Sequence, residues 1–158
     1  MVASNAIARA AASREAERLG RRVLSSEETL YCDVTDAADR IAATLDDTAG
    51  VRIWGGEPTV VLPETPGEGG RNQALALGVA KRIAGRSGTW VLVAGTDGSD
   101  GPTRAAGGLV DGSTWRPEAA EHLVQADSGP YLERQGALFV TGPTVTNVMD
   151  LAVAITEV

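Results

Sequence analysis

Aromatic side chains make up only 4% of this 158-residue sequence, so a core has to be assembled from alanine, valine, leucine and isoleucine, whose modest volumes suit close packing of helices on a sheet. Cysteine occurs once, as Cys32, which excludes an internal disulfide or a multi-cysteine metal site and fits a reducing compartment; Cys32 reads as a small core residue. Lysine also occurs once, as Lys81, and no stretch concentrates arginine. With a formal charge of −7 the chain repels nucleic acid phosphates and anionic lipid, and neither is expected as a partner. No apolar run approaches the ~20 residues of a membrane span, and no basic segment leads an apolar one at the N-terminus. A cytoplasmic chain is expected. The only histidine, His122, has no second candidate ligand and reads as a surface or packing residue. Neither a Ser-His-Asp set, a Cys-His set nor a G-x-x-x-x-G-K-[ST] phosphate loop is present. Trp54, Trp90 and Trp115 are too scattered for a stacking platform and read as core or edge residues.

What is present alternates between strand and helix signals. "MVAS" reads as extended, Ser4 or Asn5 can cap a helix reaching Leu19 with Gly20 beyond it, and "RRVLSS" reads as a strand. This strand, helix, strand unit starts at the first residue, which predicts that something precedes it. From Asp33, Val34, Ala38, Ile41 and Leu45 share one face of a second helix that ends near Gly50. "VRIW" and "TVVLP", separated by the tight "GGEP", read as a hairpin or a bent strand. A third helix carries Leu75, Ala76, Val79, Ala80 and Ile83 on one face and stops at Gly85. "TWVLVAG" reads as a central strand with both faces covered. Two short helical pieces interrupted at "SGP" are expected within 117–135, and period-two alternation over 148–155 reads as a final strand. The fold class is α/β: a single compact domain with a mixed, largely parallel sheet flanked by helices.

Four polar loops follow or join the apolar strands: "GGEPT", "GEGGRNQ", "GTDGSDGPT" and "TGPTVTN". In open α/β sheets ligands sit beyond the carboxyl ends of strands, where such loops converge. In the second loop, Gly67, Gly69 and Gly70 let backbone N–H groups turn inward at the start of the third helix, making an anion site. Arg71 adds a fixed positive fork, and Asn72 and Gln73 add further donors. In the third loop, Asp97 and Asp100 either hold a magnesium ion or cap local turns. "GEGGRN" departs from G-x-G-x-x-G at its last position, which leaves a dinucleotide site unsupported.

In "GGEPTV", "GGRNQALAL", "GTDGSDGPTRAAGG" and "TGPTVTNVMDL", four motifs in order covering most of residues 1–158, the sequence resembles the MOFRL domain, the C-terminal domain of class II glycerate 2-kinases, also named hydroxypyruvate reductase-like proteins. The resemblance implies ATP-dependent phosphorylation of D-glycerate to 2-phosphoglycerate with Mg²⁺, in a cleft shared with a larger N-terminal Rossmann-like domain that is absent here. By motif, catalytic roles fall on Arg71 and Asp97, metal binding on Asp97 and Asp100, and substrate or phosphate binding on Glu57, Gly69, Gly70, Asn72, Gln73, Thr141, Thr144 and Asn147. The implied partners are glycerate, a nucleotide and the missing domain, in the same chain or another, with a homodimer left open. The family also looks to use a lysine from the other domain, and Lys81 matches no such motif. On this reading the chain alone is an incomplete, inactive kinase. A stand-alone anion-binding module and a hydroxypyruvate reductase are the alternatives. Two positions depart from the family pattern: Arg104 replaces an aspartate after "GPT", and "NDSY" becomes "ADSGPY".

Overall fold

Ser4 decides where the first helix begins. Its extended backbone lets the hydroxyl accept the Ile7 N–H at 3.3 Å, and α1 runs Asn5–Arg18 until the chain turns at Gly20, where φ is 74°. The computed structural model describes residues 3–157; of the strand expected over "MVAS", Met1 and Val2 lie outside the described residues, and Ala3 and Ser4 belong to no strand. β1 (Val23–Glu28) follows. α2 (Val34–Thr44) is capped by the Asp33 carboxylate, which accepts the Thr35 N–H at 2.8 Å, and its expected face of Val34, Ala38 and Ile41 is buried together with Leu45. Then come β2 (Gly50–Gly56), α3 (Arg71–Arg82), β3 (Thr89–Gly95) and β4 (Gly107–Asp111). α4 (Ala119–Val124), α5 (Ser128–Arg134), β5 (Leu138–Phe139) and β6 (Asp150–Thr156) complete the chain.

The strands form one six-stranded sheet in the order β1-β2-β6-β3-β4-β5, flanked by helices. A mixed sheet is present as expected, but it is mostly antiparallel, since only β1 and β2 pair in parallel. Local strand, helix, strand patterns are real, and β2 and β3 do run in the same direction. The last strand, β6, inserts between them and lies antiparallel to both, from Gly50 opposite Thr156 to Gly95 opposite Asp150. Periodicity reports each element but not which neighbour a distant strand will choose.

Insertion of β6 also explains why the expected "TVVLP" strand is absent. Both edges of β2 are already paired, leaving that segment no ladder to join, and residues 60–66 run irregularly with Val61 and Leu62 exposed. Thr59 forms only an isolated bridge with Asp33. The break between α4 and α5 falls at residues 125–127, where Ala126 adopts φ 52°; "SGP" is the first turn of α5 rather than the interruption.

The main core lies between one face of the sheet and helices α2, α3 and α5, with Trp54, Ile41, Leu75, Leu77, Val91, Val93 and Leu132 all sealed from solvent. Cys32 packs against this core as a partly buried free thiol. The opposite face is covered by α1 over Val51 and Ile53. Coverage there does not extend to all of β3: Trp90 is 39% exposed, so the expectation that both faces of this strand are buried holds for only one.

A buried side chain helps to fasten α1 to the start of β6. Asn5 Nδ2 donates to the carbonyls of Val148 at 2.9 Å and Asp150 at 3.1 Å, and its Oδ1 accepts from Arg9 Nε at 3.0 Å. Asn5→Ala strands these buried groups, and urea unfolding should show a loss of about 1–3 kcal/mol.

Candidate functional site

The strands β1, β2 and β3 all end at one edge of the sheet, and β6 begins there. The loops after β2 and β3 and the loop before β6 therefore meet above α3's N-terminus. They enclose an open cleft of about 480 Å³ lined by Glu57, Gly69, Gly70, Arg71, Asn72, Asp97, Asp100, Asn147 and Asp150, with an apolar rim that includes Val60, Leu62 and Pro102. All four polar loops contribute, as the sequence motifs predict.

Arg71, the first residue of α3, holds the centre. Its Nε donates to Asp150 Oδ2 at 2.7 Å and its Nη2 to Oδ1 at 3.4 Å, while Nη1 lies 3.2 Å from Glu57 Oε1. Asp150 is 1% exposed and also accepts Asn72 Nδ2 at 3.0 Å. The Asp150 bond, more than anything else, raises the Arg71 pKa further. Of five guanidinium N–H groups, one on each terminal nitrogen stays available to a ligand.

Asp150 was not among the residues singled out from the sequence. The signal was a lone aspartate heading an otherwise apolar alternating strand, directly after the "TVTN" loop.

The glycine-rich loop differs from expectation in what fills it. The Asn72 and Gln73 N–H groups are not free for an anion, because Asp100 accepts them at 3.0 and 2.8 Å and so caps α3 from another loop. Gly70 has no room for a side chain because the Asp100 carboxyl lies against its Cα. The Gly69 and Gly70 backbone still faces the cleft.

Gln73 lies outside the cleft, fully buried, with Nε2 donating to Thr103 Oγ1 at 2.7 Å. Thr144 is not a lining residue either; its N–H donates to Asp97 O at 3.1 Å and its hydroxyl to Thr96 O, stitching the last two loops together. Thr141 is exposed, and its hydroxyl donates to the adjacent Gly142 carbonyl. Asn147 and Asp97 do face the cleft, joined by a long 3.4 Å contact. Arg104, where the resemblance leads one to expect an aspartate, is exposed and turned 3.7 Å from Glu133, away from the cleft.

Electrostatically the wall is acidic: four carboxylates, Glu57, Asp97, Asp100 and Asp150, face one guanidinium. Such a wall favours cations. Asp97 Oδ1 accepts the Ser99 N–H and hydroxyl at 2.9 and 3.1 Å, whereas Oδ2 receives only the long Asn147 contact and keeps acceptor capacity. Among the described residues no group of three His, Cys, Asp or Glu side chains could cage a metal. A hard oxygen donor without a full cage fits Mg²⁺, which takes one or two carboxylates and completes its shell with water and phosphate.

The fold and cleft define an α/β domain with an acidic, arginine-centred cleft wall. Residues 50–150 match the MOFRL family, and the chain belongs to it. It is 35% identical to a glycerate 2-kinase of Pyrococcus horikoshii over 98% of this chain and 38% of that protein. It is 42% identical to a D-glycerate 2-kinase of Thermotoga maritima over 80% of this chain and 34% of that one. A crystal structure of the Thermotoga maritima glycerate kinase superposes with a TM-score of 0.90 at 34% identity, covering 98% of this chain and 41% of that one. The chain thus spans between about a third and two fifths of the length of these relatives. No helix among the described residues is long and apolar enough to cross a membrane.

Burial pushes the Asp100 carboxyl up from 3.8 to about 6, with the two amide bonds opposing the rise and the nearby Asp150 charge adding to it. The fold therefore favours the protonated form. That stabilisation is fully present below the unfolded value and is lost as pH rises through about 6, a span worth about 3 kcal/mol. Urea midpoints measured from pH 3.5 to 7 should show wild type losing stability relative to Asp100→Asn across this window; a constant difference would refute the assignment.

Proposed function

We propose that this chain forms one wall of the active-site cleft of an ATP-dependent glycerate 2-kinase, converting D-glycerate to 2-phosphoglycerate, as the C-terminal domain. A larger N-terminal Rossmann-like domain, in the same polypeptide or a separate one, supplies the other wall. The observation that carries this reading is Arg71, whose guanidinium is oriented by Asp150 and Glu57 with two N–H groups left over, in a cleft shared by all four polar loops. In the reaction the 2-hydroxyl oxygen would bond to the γ-phosphorus as the bond from that phosphorus to the β–γ bridging oxygen breaks, ADP leaving with the electron pair and the hydroxyl proton passing to solvent. Phosphoryl transfer rests on positioning and charge stabilisation, which a fixed guanidinium provides for a carboxylate or phosphoryl oxygen. Glu57, Gly69, Gly70, Asn72 and Asn147 would complete the substrate-facing surface; Asp100 lines it with its carboxyl committed to the α3 amides, while Gln73 and Thr144 shape it from behind. Mg²⁺ on Asp97 would neutralise phosphate charge. A chain with this activity works in the cytoplasm.

Two alternatives fare worse. Four carboxylates against one guanidinium disfavour a stand-alone binder of small anions. For a hydroxypyruvate reductase, a dinucleotide fingerprint needs a glycine turn directly joining strand to helix, yet residues 57–70 separate β2 from α3.

By itself the chain should show no glycerate phosphorylation at the ~1–100 s⁻¹ typical of kinases. Fused behind the N-terminal domain of the Thermotoga maritima glycerate kinase, it should release ADP in a glycerate-dependent manner. Arg71→Lys, which keeps a charge beside Asp150 but removes the fork, should lower kcat/KM about 10²-fold. A cooperatively folded fusion that releases no ADP overturns the proposal, and hydroxypyruvate-dependent NADH oxidation by that fusion would favour the reductase.

A further inference from the structure

The loop that carries Gly69, Gly70 and Arg71 is braced from outside the cleft by the turn between α4 and α5. Gly67 N–H donates to Gln125 O at 2.8 Å, Gly129 N–H donates to Glu68 O at 3.0 Å, and Glu68 N–H donates to Asp127 Oδ1 at 2.9 Å. The Asp127 side chain sits where a Cβ on Gly67 would have to be, so the two segments meet without clearance. The other Asp127 oxygen, Oδ2, lies 2.8 Å from His122 Nδ1, which is also 3.1 Å from the Asp127 carbonyl. On the far side of the ring, Nε2 is 2.8 Å from Arg134 Nη2, and Tyr131 packs at 5.4 Å between ring centroids.

Only one tautomer satisfies both ends. Arginine has no acceptor, so Nε2 must accept from Arg134, and Nδ1 therefore carries the proton donated to Asp127. The contact is thus directional, and it holds the carboxylate with one oxygen committed to Glu68. The brace reaches the cleft through Ala126, a lining residue held at the unfavourable φ of 52°.

We propose that His122 is a positioning residue: through Asp127 it fixes the conformation of residues 67–70 and hence the placement of Arg71 and the glycine backbone in the cleft. This deepens the kinase reading above and rests on it only for its consequence in catalysis. The brace itself is tested without any turnover.

Amide hydrogen exchange followed by NMR separates local from global effects. In His122→Ala the Glu68 amide should exchange about tenfold faster or more, while Val91 and Val93 in the core keep their wild-type ratio to one another and change far less. His122→Asn, whose Nδ2–H can donate from the place of imidazole Nδ1, should restore most of the Glu68 protection and the wild-type Gly69 and Gly70 resonances. An unchanged Glu68 rate, a change matching that of Val91 and Val93, or no recovery in His122→Asn overturns the proposal. Because none of these readouts needs glycerate or ATP, a failed brace and a failed kinase assignment are distinguishable. In the active fusion, His122→Ala should raise KM for glycerate or lower kcat, and His122→Asn should recover it.

Discussion

A carboxylate removed from water must be paired, and the architecture of the cleft is organised around that requirement at Asp150. Its two oxygens receive Arg71 and Asn72 from the first turn of α3, while its carbonyl receives Asn5 from the first turn of α1. One residue at the start of β6 therefore fixes a helix on each face of the sheet. A few Å away Asp100 does a second version of the same thing, placing its carboxyl under the next two amides of α3. The helix N-terminus that looks, from the glycines alone, like an empty anion cradle is filled by the chain's own charge. What remains for a ligand is the outer side of Arg71 and the glycine backbone.

That arrangement depends on β6 lying between β2 and β3. With β6 there, the carboxyl ends of two same-direction strands and the amino end of an opposite one come to a single edge, and four loops from distant parts of the sequence share a cleft. The elements themselves were legible: β3 is found where its apolar run ends at Gly95, α2 where Asp33 caps it, α3 where Gly70 precedes it. Strand direction was not, because it follows from a pairing some sixty residues apart in sequence that no local period encodes. For the same reason "TVVLP", β-branched and suited to a strand, forms none; the ladder it would have joined is occupied by β6.

The site was legible to a similar depth. Loop motifs named the residues that meet, but residue type alone could not separate a group that faces a ligand from one that shapes the loop behind it. Asn72 and Gln73 are adjacent, both amides and both buried, yet Asn72 borders the cleft and Gln73 secures Thr103 on the far side. His122 carried no motif and no companion ligand, so its link to the glycine-rich loop through Asp127 became visible only in three dimensions. Arg104, conspicuous as a charge reversal, turns out to point at Glu133 and leaves the cleft untouched.

The charge balance of the wall bears on how a kinase of this kind would be assembled. Four carboxylates and one guanidinium form a surface that repels triphosphate, so nucleotide can approach only if cations arrive from elsewhere. The single lysine of the chain cannot provide them, since the ammonium of Lys81 lies 5.6 Å over the Trp115 ring and is absent from the cleft lining. Under the proposed function the missing charge divides between Mg²⁺ and basic groups on the opposing domain. Affinity for that domain and affinity for the nucleotide would then rest on the same electrostatic complementarity, so that the cleft gains its power to stabilise a transferring phosphoryl group only as it closes.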